Sequence, residues 1–566
     1  MKLRHLIIKN FRGIRELDWT LSSDFVCLIG PGDSTKTTIL TAIEYVFSPR
    51  WNLSITDLDF YQSETKNPIE IIATITEFPE KLKQEDKYGL CLSFWNDLDK
   101  DHNEDKDSDL ISLIINFYVD DSLEPLWFVH YPLTGEKKMV SSSDRELLMV
   151  TQIGAYIERD LSWGRTSALT RFTGKENIEE IPAILAQASR TIREALQVAD
   201  LKQLDLSVKE VEASAHSLGV QAKSRFRPGV DPSGFNLNMG AITLLDGDIP
   251  LRSGGLGSRR LMVMAINKGL TNKSSITLID EIESGLEPFR LRNLIRTLRQ
   301  TVNDNGQCII TTHSPISIVE HSAKELFVVH SDDGKTIIKQ VSDSLQSTIR
   351  SIPEALLARC LIVCEGKTEW GFCRAAEEYW ESHGNRPLAC MGVEPIYSTG
   401  GGGSEAPSLA CHLADLGYRV AYFGDSDTIL SPSVDAMEEK GIKVILWGGN
   451  VNIEQRMCLD LPFTAIGELV DLAIQIDNDA DSVWREIFKE LRIDSGSQVR
   501  NIEQLLKIKS ETDIRQGVGS AASNGKWFKR PEKGQHLGRL VFQNFADLTT
   551  KDTGSKISEL YEWCYA

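Results

Sequence analysis

No stretch of the chain approaches the roughly 20 consecutive apolar residues of a membrane-spanning helix, so none is expected. The opening residues, MKLRHLIIKNFRGI, put charge inside their apolar stretch and lack a small-residue cleavage site, so no export leader is expected either. No Cys-x-x-Cys pair occurs among the 10 cysteines. The closest group, Cys360, Cys364 and Cys373, lacks zinc-site spacing, and buried free thiols of a cytoplasmic protein are the reading. Basic charge is in deficit, with 62 Lys and Arg against 81 Asp and Glu, a net −19. Such a chain has no global attraction for nucleic acid, so any nucleic-acid contact must be local or bridged by metal. The acidic tract at 96–110 lacks the glycine and closing Glu of an EF-hand loop, which leaves a solvated hairpin tip.

What remains is ordinary globular composition: 566 residues, 41% hydrophobic and 25% charged, enough for three or four domains. Alternating and buried apolar runs with intervening helical patterns predict an α/β fold over residues 1–345. Within it, 145–225 has few glycines and reads as a helical insertion suited to pairing with another chain. A connector at 341–355 leads to a second βα alternation over 350–566, with a helical insertion at about 460–515. The segment from Ser523 to Leu540 is basic and aromatic against the acidic background.

Two constellations carry chemistry. In the first, Gly30-Pro31-Gly32-Asp33-Ser34-Thr35-Lys36-Thr37-Thr38 follows a buried run and opens a helix, the context of a phosphate-binding loop. Glycines let backbone N–H groups close around phosphates, and the helix N-terminus adds positive potential. Lys36 would reach the β- and γ-phosphates, and Thr37 would hold magnesium. Thr35 is a departure, since glycine usually precedes the lysine, and a β-branched residue narrows the backbone options. A later apolar strand ends in Asp280, to orient magnesium, and Glu281, to polarise the attacking water. Another ends at His313, placed to sense the γ-phosphate. Ser253-Gly254-Gly255-Leu256-Gly257-Ser258 opens an apolar helix. These segments, in this order and with NFRGI at 10–14, resemble an ABC-type ATPase head of SMC and RecF proteins. The resemblance implies two heads sandwiching ATP and Mg²⁺, with Ser253 or Ser258 capping the nucleotide of the other head.

In the second, an apolar strand ends in Glu365, and Glu369 lies four residues on, where both carboxylates can face one side as a helix begins. A later strand ends in Asp425-Ser426-Asp427. Beyond the carboxyl ends of parallel strands these carboxylates would converge. They would repel one another without a cation, and oxygen-only ligands favour Mg²⁺ or Mn²⁺. This pattern resembles a TOPRIM domain. An ATPase head followed by TOPRIM is similar to the OLD (overcoming lysogenisation defect) family of ATP-dependent endonucleases. That resemblance implies Glu365, Glu369, Asp425, Asp427 and Glu454 as metal ligands, with Glu365 and Asp425 central to catalysis. It also implies a catalytic lysine in WFKR at 527–530, namely Lys529, with Lys526, the residue just before that segment, as competitor. Gln535 stands where the family often has a further acid, so no ligand is assigned there. Gly400 to Gly403 lack a following Lys-Thr, which suits a turn beside the metal cleft better than a second nucleotide site.

The expected function is an ATP-binding and ATP-hydrolysing, Mg²⁺- or Mn²⁺-dependent DNA endonuclease acting in anti-phage defence. The expected partners are DNA, a second copy or higher homo-oligomer, and an encoded helicase or retron reverse transcriptase with its small DNA. A RecF- or SMC-like DNA clamp or sensor that does not cut is the alternative. A topoisomerase would need a tyrosine module that the sequence does not display.

Overall fold

The computed structural model describes every residue except 97–100, 104–109, 132–134, 154–159, 165–166, 174–179, 199–201, 219–223, 227–238, 271–275, 304–305, 399–403, 478 and 495–498. The glycine run at 400–403 and most of the acidic tract lie outside the described residues. Of that tract's surroundings, Ser93–Asn96 pairs antiparallel with Asp101–Asn103.

The N-terminal half is built on one mixed sheet of 14 strands. Five short strands run parallel, in the order Thr151–Ile153, Ile276–Ile279, Gln307–Thr311, Phe25–Ile29 and Leu326–Asp332. Their central members are apolar on both faces because helices cover both, which is why they read as continuous hydrophobic runs. The remainder is mainly antiparallel, beginning with Lys2–Phe11 between Ile14–Thr20 and Ile69–Thr76. LRHLIIKNF alternates in the sequence because its strand buries one face more than the other.

Thr151–Ile153 falls inside the stretch read as a helical insertion, yet it is a strand beside Ile276–Ile279. Three residues are too few for periodicity to reveal. Helices Ala168–Thr173, Ile181–Val198 and Lys202–Ser217 follow it.

The C-terminal half contains a four-stranded, all-parallel sheet in the order Val393–Tyr397, Cys360–Cys364, Arg419–Gly424, Lys443–Leu446. Leu361, Val363, Val420 and Tyr422 face a core that continues into the N-terminal half through Ile310, Val328, Ile349 and Leu356. Ile362, Cys364, Phe423 and Ile445 face a second core made by the C-terminal helices. The connector is therefore a packed seam. Tyr418 donates its hydroxyl to Leu356 O at 2.7 Å, and His330 meets the Tyr418 ring edge-on at 4.9 Å. All 10 cysteines are free thiols, eight of them buried. Among the described residues, no helix is long and apolar enough to cross a membrane.

One close approach fixes the geometry of the C-terminal half. Helices Lys367–Ser382 and Pro531–Gln543 pack backbone to backbone: a Cβ on Gly371 would lie 2.2 Å from Pro531 O, and one on Gly534 would lie 2.5 Å from Thr368 O. Both obstacles are main chain, which cannot rotate away. Gly371→Ala is therefore expected to destabilise the protein by about 1–3 kcal/mol, the usual range for overpacking, read as a lower denaturant midpoint; an unchanged midpoint would refute the tight packing.

Candidate functional site

Both constellations lie at the carboxyl edges of their parallel strands, where open α/β sheets place ligand sites.

At the first edge, Gly30 follows Ile29, and the helix Lys36–Val46 starts immediately after the loop. Lys36 is buried and folds back onto its own loop, donating to Gly30 O at 3.1 Å, Pro31 O at 2.7 Å and Ser34 Oγ at 2.8 Å. Burial pulls its ammonium down to about 8, with Asp280 and Asp33 opposing. Gly32 and Asp33 are exposed at the loop's tip, while Thr37 and Thr38 occupy the first helical turn. Thr35 adopts φ 68°, ψ 11°, the left-handed region that explains why glycine is usual here. For a side chain with a branched Cβ this conformation costs about 1–2 kcal/mol. Its hydroxyl offsets part of that through Ser34 O at 2.6 Å and the Thr336 hydroxyl at 3.2 Å.

Asp280 and Glu281 follow Ile276–Ile279, two strands from the loop. Asp280 Oδ1 accepts from Thr37 Oγ1 at 3.2 Å and from Thr311 Oγ1 at 2.6 Å. Loop threonine and acid are thus already paired as a magnesium site requires. Glu281 has φ 45°; its N–H donates to Thr311 Oγ1 at 2.8 Å and its Oε2 accepts from Ser284 Oγ at 2.9 Å. His313 lies just after Gln307–Thr311 with part of its ring in solvent, and the partial burial of the rest, together with Lys36, lowers its pKa. Ser253 and Ser258 are both exposed, one just before the helix Leu256–Leu270 and one in its first turn, where Arg290 Nη1 donates to Ser258 Oγ at 3.5 Å.

Two positions missed in the sequence tie these parts together. Glu283 accepts from Thr312 Oγ1 at 2.6 Å and from His313 N at 2.7 Å, joining the acidic turn to the His313 strand. Arg260 is buried and donates to the carbonyls of Asp280 and Ser284. The only sequence signals were a third acid in Asp280-Glu281-Ile282-Glu283 and a second arginine in Arg259-Arg260, each ordinary for an exposed turn or helix. Gly257 and Gly285 explain how the helix comes so close: a Cβ on Gly257 would lie 2.0 Å from Gly285 O.

At the second edge, Glu365 follows Cys360–Cys364, and Asp425 follows the neighbouring Arg419–Gly424. Glu369 is 2% exposed and Glu454 fully buried, each one turn or less into its helix. Thr368 Oγ1 donates to Phe528 O at 3.0 Å, which pins the WFKR segment against this helix. Lys529 Nζ then stands 3.7 Å from Glu454 Oε1. Burial lowers the Lys529 pKa, but Glu454, Glu369, Asp425 and Glu365 outweigh it and hold the ammonium above its ordinary value. Lys526 and Lys529 are both partly in solvent, but it is Lys529 that pairs with Glu454, while Lys526 turns the chain at φ 55°. The structure thus brings Lys529, and not Lys526, to the carboxylates.

The four carboxylates sense one another strongly. Burial raises the pKa of Glu369 to about 7, with Glu454 and Glu365 adding to the effect and Lys529 opposing it. Burial, then Glu369, Glu365 and Glu454, holds Asp425 well above the usual carboxylate range. Burial likewise raises Glu365 and Glu454. Asp427 is exposed at the rim and adds its charge to Glu365 and Glu454.

The convergence expected from sequence is electrostatic and stops short of a ready cage. Among the described residues, no three His, Cys, Asp or Glu side chains already stand as a metal-holding group. Glu365 Oε2 turns to Asp425 N at 2.7 Å, and Asp425 Oδ1 turns to Ile453 N at 2.8 Å. Like charges close together take whatever N–H groups are at hand. Yet Glu369 Oε1 and Glu454 Oε2 are buried without a hydrogen-bond partner, and Glu454 Oε1 has only the Lys529 ammonium at 3.7 Å. Buried unpaired carboxylate oxygens are costly, and an oxygen-only donor set of this kind fits Mg²⁺ or Mn²⁺. Gln535, left unassigned, bonds Glu378 at 2.7 Å and takes no part.

Residues 1–124 match a family model described as "AAA ATPase domain", and residues 188–319 match one described as "AAA domain, putative AbiEii toxin, Type IV TA system". No curated protein matches the chain. Among solved structures, the chain is similar to the Smc head domain from Pyrococcus furiosus bound to the C-terminal domain of ScpA: 13% identity, 62% of this chain and 98% of that one, TM-score 0.36. It is also similar to the SMC head domain from Thermotoga maritima: 15% identity, 60% and 100% coverage, TM-score 0.29. The chain carries a P-loop ATPase region, and ATP with Mg²⁺ is the ligand its first site implies.

Proposed function

We propose that the chain is an ATP-regulated, Mg²⁺- or Mn²⁺-dependent DNA endonuclease of the OLD type, its C-terminal half a TOPRIM nuclease domain, acting in the cytoplasm in defence against phage. The observation that carries this reading is the ion pair of Lys529 with Glu454 at 3.7 Å, at a strand edge where Glu365 and Asp425 adjoin and Glu369 Oε1 and Glu454 Oε2 are buried without a hydrogen bond. Divalent cations bound there supply electrophilic stabilisation of a phosphodiester's oxygens. Glu365 and Asp425 hold them, with Glu369, Glu454 and the rim residue Asp427 completing the donor set. Lys529 adds a fixed positive charge where negative charge builds on the phosphate. Cations also let a chain of net charge −19 hold DNA at its centre.

Nucleotide control has a physical route. The strand Leu326–Asp332 pairs with the phosphate-loop strand, and His330 on it packs against Tyr418, which precedes the strand leading to Asp425. ATP sandwiched between two heads, capped by Ser253 or Ser258, makes a homodimer the minimal unit, with higher closed assemblies compatible. An encoded helicase or retron reverse transcriptase with its small DNA fits as an additional partner.

The test is incubation of the full chain with supercoiled and linear DNA in Mg²⁺, Mn²⁺, Ca²⁺ or EDTA, with and without ATP, with light scattering on the same samples. Cutting in Mg²⁺ or Mn²⁺, none in Ca²⁺ or EDTA, and a mass of at least two chains are expected, because the looser Ca²⁺ shell does not hold two oxygens in line. DNA bound but uncut under every condition would favour the clamp reading, and a monomer in every nucleotide state would remove the sandwich.

A further inference from the structure

An aromatic corner flanks the carboxylate cluster on the side away from Asp425. Tyr397 ends the strand Val393–Tyr397 and is paired in register with Cys364, so it stands at the same sheet edge, abreast of the residue before Glu365. Trp370 follows Glu369 on the helix Lys367–Ser382. Its indole N–H donates to Pro395 O at 2.9 Å, and the Arg374 guanidinium lies 5.1 Å from its ring centroid. Arg374 is itself held by Glu377 at 3.0 Å and Glu394 at 2.8 Å. Trp370 is thus a fixed wall. Tyr397 meets it edge-on, with centroids 5.9 Å apart and planes at 74°. Lys367 is exposed, and its ammonium stands 6.0 Å from the Tyr397 centroid.

Both rings pack against the C-terminal core yet keep part of their surface in solvent, as does the lysine beside them. Stacking on an aromatic face suits any base, because every base has a π-face, and a nearby lysine suits the phosphate that follows it. An acidic chain gains most from a contact of this kind, because stacking does not depend on charge. We propose that Tyr397, braced by Trp370 and flanked by Lys367, is a stacking platform for one unpaired nucleobase of DNA, so that locally unpaired or single-stranded DNA is the favoured substrate. The inference deepens the nuclease reading and rests on it for the position of the cut strand.

The test uses the full chain in Ca²⁺ with a single-stranded oligonucleotide carrying 2-aminopurine, and a fully paired duplex for comparison. Wild type is expected to quench the 2-aminopurine. Tyr397→Ala is expected to lose the quenching and to bind the single strand about tenfold more weakly, within the range that one stacked base supplies. Tyr397→Trp is expected to retain both. Lys367→Gln should weaken single strand and duplex alike and flatten the salt dependence. ATP turnover checks that each variant is folded. Equal quenching and equal affinity in wild type and Tyr397→Ala would overturn the platform whether or not the protein cuts DNA. Quenching that depends on Tyr397 in a protein that cuts nothing in Mg²⁺ or Mn²⁺ would leave the platform standing and remove the nuclease reading.

Discussion

Glu365→Gln and Asp425→Asn are each expected to reduce DNA cleavage by about two to three orders of magnitude, the scale of losing one preorganised electrostatic contact to the transition state, while ATP turnover stays near wild type. The reason to choose amides is structural. Asp425 Oδ1 accepts from Ile453 N, and Glu365 Oε2 accepts from Asp425 N, contacts that a side-chain amide oxygen preserves. Each change also takes one ionisable carboxyl out of a buried group whose members raise one another's pKa. In EDTA the variants should therefore melt no lower than wild type, since relieving like-charge repulsion in a buried site favours the folded state. In Mg²⁺ the order should reverse, because wild type gains stability from a cation that the variants hold poorly. Lost cleavage with unimpaired melting in EDTA separates a lost ligand from a lost fold. Lys529→Ala should cut equally poorly yet keep the Mg²⁺-dependent rise in melting temperature, since it removes charge near the phosphate and no ligand. The measurement is cleavage of supercoiled DNA alongside thermal melts in both conditions. Cleavage that survives Asp425→Asn and EDTA would show that the acidic cluster is not the catalytic centre.

The parts legible in the sequence were those written as contiguous pattern. An apolar run followed at once by Gly30 to Thr37, by Asp280-Glu281 or by Glu365 announces a strand whose carboxyl end carries chemistry. The structure has strands Phe25–Ile29, Ile276–Ile279 and Cys360–Cys364 in those places. Sequence spacing gave no means of separating Lys529 from Lys526, three residues apart. What places Lys529 nearer the carboxylates is a long-range bond, Thr368 Oγ1 to Phe528 O, which ties the segment to a helix 160 positions earlier. Glu283 and Arg260 were invisible for the same reason, because their roles exist only through Thr312, His313 and the carbonyls of Asp280 and Ser284. The strand Thr151–Ile153 was hidden by brevity, and the packed seam at 341–355 by a composition that suits a linker equally well.

Lys36→Ala is expected to lower ATP turnover by about two orders of magnitude or more, and Glu281→Gln to leave ATP bound but slowly hydrolysed. The loop's own geometry shows why the lysine matters. Its ammonium already satisfies three oxygens of the loop, and burial has brought its pKa to about 8, so it is a cation in want of negative charge. The β- and γ-phosphates of a bound nucleotide would supply that charge. Glutamine at 281 keeps the Glu281 N to Thr311 Oγ1 bond and an acceptor for Ser284, so the strained turn at φ 45° should survive. Only the charge that polarises water is lost. Thr35→Gly serves as the internal control. It removes the left-handed strain of a β-branched residue while keeping the loop's path, so binding and turnover should be retained with a small gain in stability, up to about 1–2 kcal/mol. The measurements are nucleotide affinity and steady-state turnover for the three variants. Normal turnover in Glu281→Gln would take the water-polarising role from that residue. Normal turnover in Lys36→Ala would mean that threonine in place of glycine marks a degenerate loop, with ATP held by some other part of the chain.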